Sequence, residues 1–147
     1  PIAVSEDNKL VVGQMGEVTV PGDSLLTIYD PKTFNPDEPK AEKSWKTGLS
    51  DIAGLAYSPK TKKWYCSDFA WAKPEDGGLF ELTIEGDKVT TKKLASLDKP
   101  TALAFDKDGN LYVAVFGTAP KDWKEGDMTP GKLLMIDAAQ LGGPATE

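Results

Sequence analysis

The chain has 147 residues and a net charge of −6, contains no histidine, and draws all 17 of its basic residues from lysine. Without histidine it cannot build a Ser-His-Asp or Cys-His relay, an imidazole metal site or a c-type haem attachment, and without arginine it lacks the bidentate guanidinium grip on phosphate or carboxylate. The acidic balance makes nucleic acid and anionic membrane surfaces poor partners.

Hydrophobic residues make up 39% of the chain and charged residues 27%, which are values of a folded domain. No apolar run is long enough for a membrane-spanning helix, so direct membrane insertion is not expected. The single cysteine, Cys66, permits no internal disulfide. Pro1 stands where a start methionine would, so something upstream is expected to have been removed or left out.

In chain order, the first expected strands are Ile2-Ala3-Val4-Ser5 and Leu10-Val11-Val12, joined by the polar turn Glu6-Asp7-Asn8-Lys9. A third follows a variable loop at Ser24-Leu25-Leu26-Thr27-Ile28, and a fainter fourth falls near Ala41 to Trp45. The pattern then recurs. Leu55-Ala56-Tyr57-Ser58 and Trp64-Tyr65-Cys66 flank Pro59-Lys60-Thr61-Lys62-Lys63, Gly78-Leu79-Phe80-Glu81-Leu82 comes third, and Lys88 to Leu94 fourth. It recurs again with Leu103-Ala104-Phe105-Asp106 and Leu111-Tyr112-Val113 around Lys107-Asp108-Gly109-Asn110, then Lys132-Leu133-Leu134-Met135-Ile136. Asp-Gly between β-rich runs is a hairpin signal, because glycine accepts the positive φ of such turns. Helical periodicity is absent apart from a short turn at Asp137-Ala138-Ala139-Gln140-Leu141.

Leu25, Leu79 and Leu133 fall at equal intervals despite unequal loops. Four short antiparallel strands per repeat is the signature of a propeller blade, which must stack on neighbours to bury both faces. The expected fold is therefore all-β: a β-propeller arc of about three four-stranded antiparallel blades, roughly residues 1–50, 51–98 and 99–147, the last lacking its outer strand. A β-sandwich of similar hairpins is the rival, but a sandwich has no reason to repeat at a constant period. Ala3, Ala56 and Ala104 are expected buried on the innermost strands, and Leu25, Leu79 and Leu133 buried between blades.

The run from Lys99 to Ala114, including Ala102-Leu103-Ala104-Phe105-Asp106-Lys107-Asp108-Gly109-Asn110-Leu111-Tyr112-Val113, resembles the blade opening of NHL-repeat propellers. It is also similar to senescence-marker-protein/gluconolactonase and strictosidine-synthase-like propellers. The likeness covers most of residues 52–136 and is weaker over 1–50. It implies half of a six-bladed ring and says little of function, since these propellers include lactonases, lyase-like enzymes and binding modules. The lactonase branch implies a metal held by Glu, Asn and Asp at a central channel, and that ligand set has no counterpart positions here; no metal ligands and no cofactor are assigned.

An arc of three blades exposes two apolar faces, so a covering partner is expected: the remainder of the propeller in a longer chain (the preferred version), a second copy, or another subunit.

The second-to-third-strand loops, Gly13 to Asp23, Asp68 to Gly77 and Phe116 to Gly131, are long, and long loops on a rigid repeat scaffold commonly carry function. Asp68, Trp71, Phe116 and Trp123 are the candidate ligand-binding residues. A Trp beside carboxylates can stack on a sugar ring, or hold a cation or a lysine-bearing partner. The alternative is that both Trp rings fold their loops back onto the blades. Asp106-Lys107-Asp108-Gly109-Asn110 looks like a calcium loop but lacks the later bidentate Glu and flanking helices, and the hairpin turn accounts for it. Cys66 is expected to be a buried small hydrophobe.

These readings favour a non-catalytic β-propeller binding or scaffold module that uses its loop face for a protein or glycan partner. A metal-dependent propeller enzyme of lactonase or sugar-dehydrogenase type, and a structural subunit completing a larger assembly, are the alternatives. No catalytic residue is assigned, and a periplasmic or secreted location is the preferred one.

Overall fold

The computed structural model describes residues 1–142. The end of the third expected repeat, residues 143–147, lies outside the described residues. Among the described residues eleven strands form in chain order: β1 Ile2–Val4, β2 Leu10–Gln14, β3 Leu25–Tyr29, β4 Lys43–Lys46, β5 Ile52–Ser58, β6 Lys63–Asp68, β7 Gly78–Glu85, β8 Lys88–Ser96, β9 Pro100–Phe105, β10 Leu111–Val115 and β11 Lys132–Ile136. They make an all-β architecture of three antiparallel sheets, β1-β2-β3-β4, β5-β6-β7-β8 and β9-β10-β11, each ordered as in the sequence. No described helix is long and apolar enough to cross a membrane.

The turns form where residue chemistry allows them. Between β9 and β10, Asp106 Oδ1 accepts from the backbone N–H of Asp108 and of Asn110, both at 2.9 Å, and Oδ2 accepts from Asn110 Nδ2. Gly109 takes φ +83°, where a β-carbon would be strained. The hydrogen bond from Asn110 and those from the turn backbone hold the Asp106 carboxyl below its usual range. The carboxylate that resembled a calcium ligand is thus occupied by its own turn.

Strands alternate their faces, so each sheet offers a separate set of side chains on each side. Sheet one turns Val11, Leu26 and Trp45 toward sheet two, which answers with Leu55, Trp64, Cys66 and Phe80. Sheet two turns Tyr65 and Leu79 toward sheet three, where Leu111, Val113 and Val115 receive them. Tyr65 and Phe105 meet edge-on across this junction with centroids 5.5 Å apart. Strands β5 and β9 approach closely. A β-carbon on Gly54 would lie 2.1 Å from the Thr101 carbonyl oxygen, so only glycine fits between β5 and β9.

Strand pairing corrects the expected equivalences. Gly13 pairs with Leu26, Ser67 with Leu79, and Ala114 with Leu133, so Leu26, Leu79 and Leu133 are the matching residues. Leu25 instead matches Gly78 and Lys132, and is half-buried. A one-residue slip moves a side chain to the other face. The three alanines do match, paired with Val11, Tyr65 and Tyr112.

Burial does not follow the match. Leu79 is fully buried while Leu133 is 71% exposed. Ala56 is buried, Ala3 half-buried and Ala104 exposed. The reason is coverage: this face of sheets one and two meets the next sheet, and on sheet three nothing among the described residues covers it.

Candidate binding site on the long-loop face

β6 and β10 are each followed by a phenylalanine, and the two occupy one structural role. Phe69 donates its N–H to the carbonyl of Asp51, and Phe116 to that of Lys99, both at 2.9 Å. Asp51 and Lys99 lie in the crossings from one sheet to the next, so each ring is set at a junction between sheets. The rings consequently come together, with centroids 6.2 Å apart.

The chain then turns sharply. Ala70 is buried at φ +49°, a left-handed conformation that costs a non-glycine residue roughly 1–2 kcal/mol. The turn brings Trp71 parallel to Phe69, with centroids 5.5 Å apart and planes at 13°. Phe69, Trp71 and Phe116 form an aromatic platform in which Trp71 is 60% and Phe116 62% exposed. Met15, the residue after β2, holds the corresponding place on sheet one and is also exposed.

Asp68 supports this platform from beneath. Its Oδ1 accepts from the N–H of Asp51 at 2.7 Å and of Ala70 at 3.2 Å, and its Oδ2 from Ser50 at 3.0 Å. The carboxylate is buried and spent on three backbone donors, so it holds the loop rather than facing solvent. Asp51 Oδ2 completes the brace, accepting from the Trp71 N–H at 2.6 Å. Asp51 Oδ1 and Asp23 Oδ1 are buried without a hydrogen-bond partner among the described residues. Burial raises the Asp51 carboxyl above its usual range, and the nearby Asp68 and Asp23 charges raise it further against the Trp71 N–H. Among the described residues no group of three or more Asp, Glu or Cys is arranged to hold a metal ion.

Trp123 lies on the corresponding loop of sheet three and is 41% exposed, so it is not part of the core. Its indole N–H donates to the Met128 carbonyl at 3.3 Å, which closes its own loop, and its ring joins no aromatic pair with the platform. The four residues singled out from sequence therefore separate. Trp71 and Phe116 belong to one surface, Asp68 holds it from below, and Trp123 stands apart.

Phe69 was visible only as one aromatic in a long loop. The cue that marks it is its place immediately after β6, matching Phe116 after β10.

Polar groups border the platform. Thr118 Oγ1 donates to Asp98 Oδ1 at 3.1 Å beside Phe116. A groove of about 410 Å³ is lined by Phe116 together with Thr101, Val115, Thr129, Pro130 and Gly131. A larger cleft of about 600 Å³ runs between sheets one and two, where Trp45 and Trp64 form its floor. The Lys9 ammonium at its rim is already held by Asp30 and Glu42 at 2.8 and 2.9 Å. Cys66 sits in the core between the same sheets, and burial pushes its thiol far up, so it carries no thiolate at neutral pH.

No family model matches the chain, and no curated protein matches it. Among solved structures, a fucose lectin from Kordia zhangzhouensis in complex with methyl-fucoside aligns over 92% of this chain and 90% of that one, at 13% identity and a TM-score of 0.46.

Proposed function

We propose that this chain is a non-catalytic binding module, an arc of an NHL-type propeller, that takes a saccharide on its long-loop face. The observation that carries the reading is exposed Trp71 stacked on half-buried Phe69, with exposed Phe116 beside it. Two aromatic planes held parallel above a buried carboxylate present a flat apolar surface that is already ordered before a ligand arrives, which lowers the entropic cost of binding. The apolar face of a pyranose ring lies on the exposed side of Trp71. Asp98 and Thr118 offer an acceptor and a hydroxyl to the sugar's edge.

The arc reading is supported by the repeating meander and by the use of matching positions at both junctions between sheets. The non-catalytic reading is supported by the state of the reactive groups, since Asp68 is committed to backbone donors and Cys66 is buried and protonated.

Isothermal titration of the chain with a panel of methyl glycosides tests the proposal. At least one glycoside should bind, and Trp71→Ala should weaken it by about tenfold or more with an unchanged melting temperature. A panel without a binder, or Trp71→Ala binding as tightly as the wild type, refutes the saccharide reading; a protein ligand on the same platform would then be the reading to test.

A further inference from the structure

We propose that the saccharide taken on the long-loop face is a glycoside with an apolar aglycone, and that the groove at Phe116 holds that aglycone. The proposal rests on reading the aromatic platform as a saccharide site. Phe116 is common to both surfaces: its ring lies 6.2 Å from that of Phe69 in the platform, and it also lines the groove of about 410 Å³. That volume falls in the range of small-ligand pockets, roughly 300–1,000 Å³. From Trp71 the platform reaches Phe116 in two centroid steps of 5.5 and 6.2 Å. A substituent leaving a pyranose on Trp71 therefore has a continuous aromatic path to the groove.

The groove suits hydrocarbon. None of the residues that line it is ionisable. Thr101 donates its hydroxyl to the Ala114 carbonyl at 3.1 Å, and its own carbonyl accepts from the Ser67 hydroxyl, so its methyl group is what it can offer a ligand. The Phe116 N–H is held by the Lys99 carbonyl at 2.9 Å, and Pro130 has no N–H to give. A group entering here finds few hydrogen-bond partners, and burial of apolar surface is the interaction left to it. Bare carbohydrate, hydroxylated around its edge, would lose hydrogen bonds to water in such a groove, whereas an alkyl group loses none. The shape is set by the backbone. Gly117 takes φ +74°, and a β-carbon there would lie 2.7 Å from the Pro130 carbonyl oxygen, so glycine lets the returning end of the β10–β11 loop close down beside Phe116.

Isothermal titration of the chain with paired methyl and butyl glycosides of the same sugars tests this. Each methylene moved from water into an apolar groove tightens binding roughly fourfold, so the butyl glycoside should bind about tenfold or more tighter than its methyl counterpart. A side chain at Gly131 enters the groove without strain, since its β-carbon would stand 3.5 and 3.6 Å from the Val115 and Phe116 carbonyl oxygens, ordinary contact distances. Gly131→Leu should therefore fold and erase the butyl advantage. Thr129→Lys, which sets a hydrated charge in the exposed wall of the groove, replaces it if circular dichroism shows Gly131→Leu unfolded. Methyl and butyl glycosides that bind the wild type equally, or a butyl advantage that survives in the folded groove variant, overturn the groove and leave the saccharide reading standing. Butyl glycosides that bind Trp71→Ala as tightly as the wild type, yet lose affinity in the groove variant, refute the saccharide reading while the groove stands. Binding by neither set overturns both.

Discussion

Replacing Asp68 by alanine strips the acceptor from three backbone N–H groups at once. Those of Asp51 and Ala70 are buried, whereas that of half-buried Ser50 is within reach of water. A hydrogen bond to a charged acceptor contributes about 1.5–3 kcal/mol, and a buried donor left without a partner carries its full desolvation penalty. Loss of the Asp68 charge also relieves its repulsion of Asp51, which offsets part of the damage. The net cost should be about 3–5 kcal/mol, a large share of the roughly 5–15 kcal/mol by which such domains are stable. Asp68→Asn should cost less, about 1–2 kcal/mol, because Oδ1 keeps the Asp51 and Ala70 donors and only the Ser50 side meets an amide. Urea unfolding at one fixed protein concentration measures both, with the slope expected to stay constant. A loss below about 0.5 kcal/mol for Asp68→Ala, the range of ordinary surface changes, would refute the view that this carboxylate holds the junction.

Two further outcomes follow from the geometry. The Asp51 carboxyl is raised in the folded state, so its stabilising protonated form is complete below the unfolded value of 3.8 and is lost as pH rises through the folded one. Asp51→Asn, which can still accept from the Trp71 N–H, should therefore be more stable than wild type at pH 7 and melt at a higher temperature. The gap should close in acid, and a gap independent of pH would remove burial of the charge as its cause. Gly54→Ala should disrupt the junction of sheets two and three, since its β-carbon would meet the Thr101 carbonyl and Ser67 Oγ. An unchanged melting temperature would show that β5 and β9 stand further apart than described.

The order of the strands, their turns and the chemistries closed to this chain were legible in the residues alone. Apolar alternation, Asp-Gly turns and the absence of histidine and arginine are local or compositional facts, and they act the same way in any surroundings. The pairing register was legible to within one residue: Leu79 and Leu133 match as their spacing implied, but Leu26 and not Leu25 completes the set, because the eye cannot tell which of two adjacent leucines faces a neighbour until the strands are paired. Coverage was legible only as two outer faces left open by an arc, not residue by residue. Leu79 and Leu133 sit in the same local pattern, and one is buried while the other is open because burial depends on what lies across the face. The same holds for the candidate site. Asp68 and Trp71 are close in sequence and looked alike as ligand contacts, yet the junction loop draws the carboxylate inward to three backbone donors while the left-handed turn at Ala70 sends the indole out onto Phe69. Sequence determined what each strand is made of; only the packing of one sheet on the next decided which side chains meet water, because hydrogen-bond pairing and face coverage join residues that are distant along the chain.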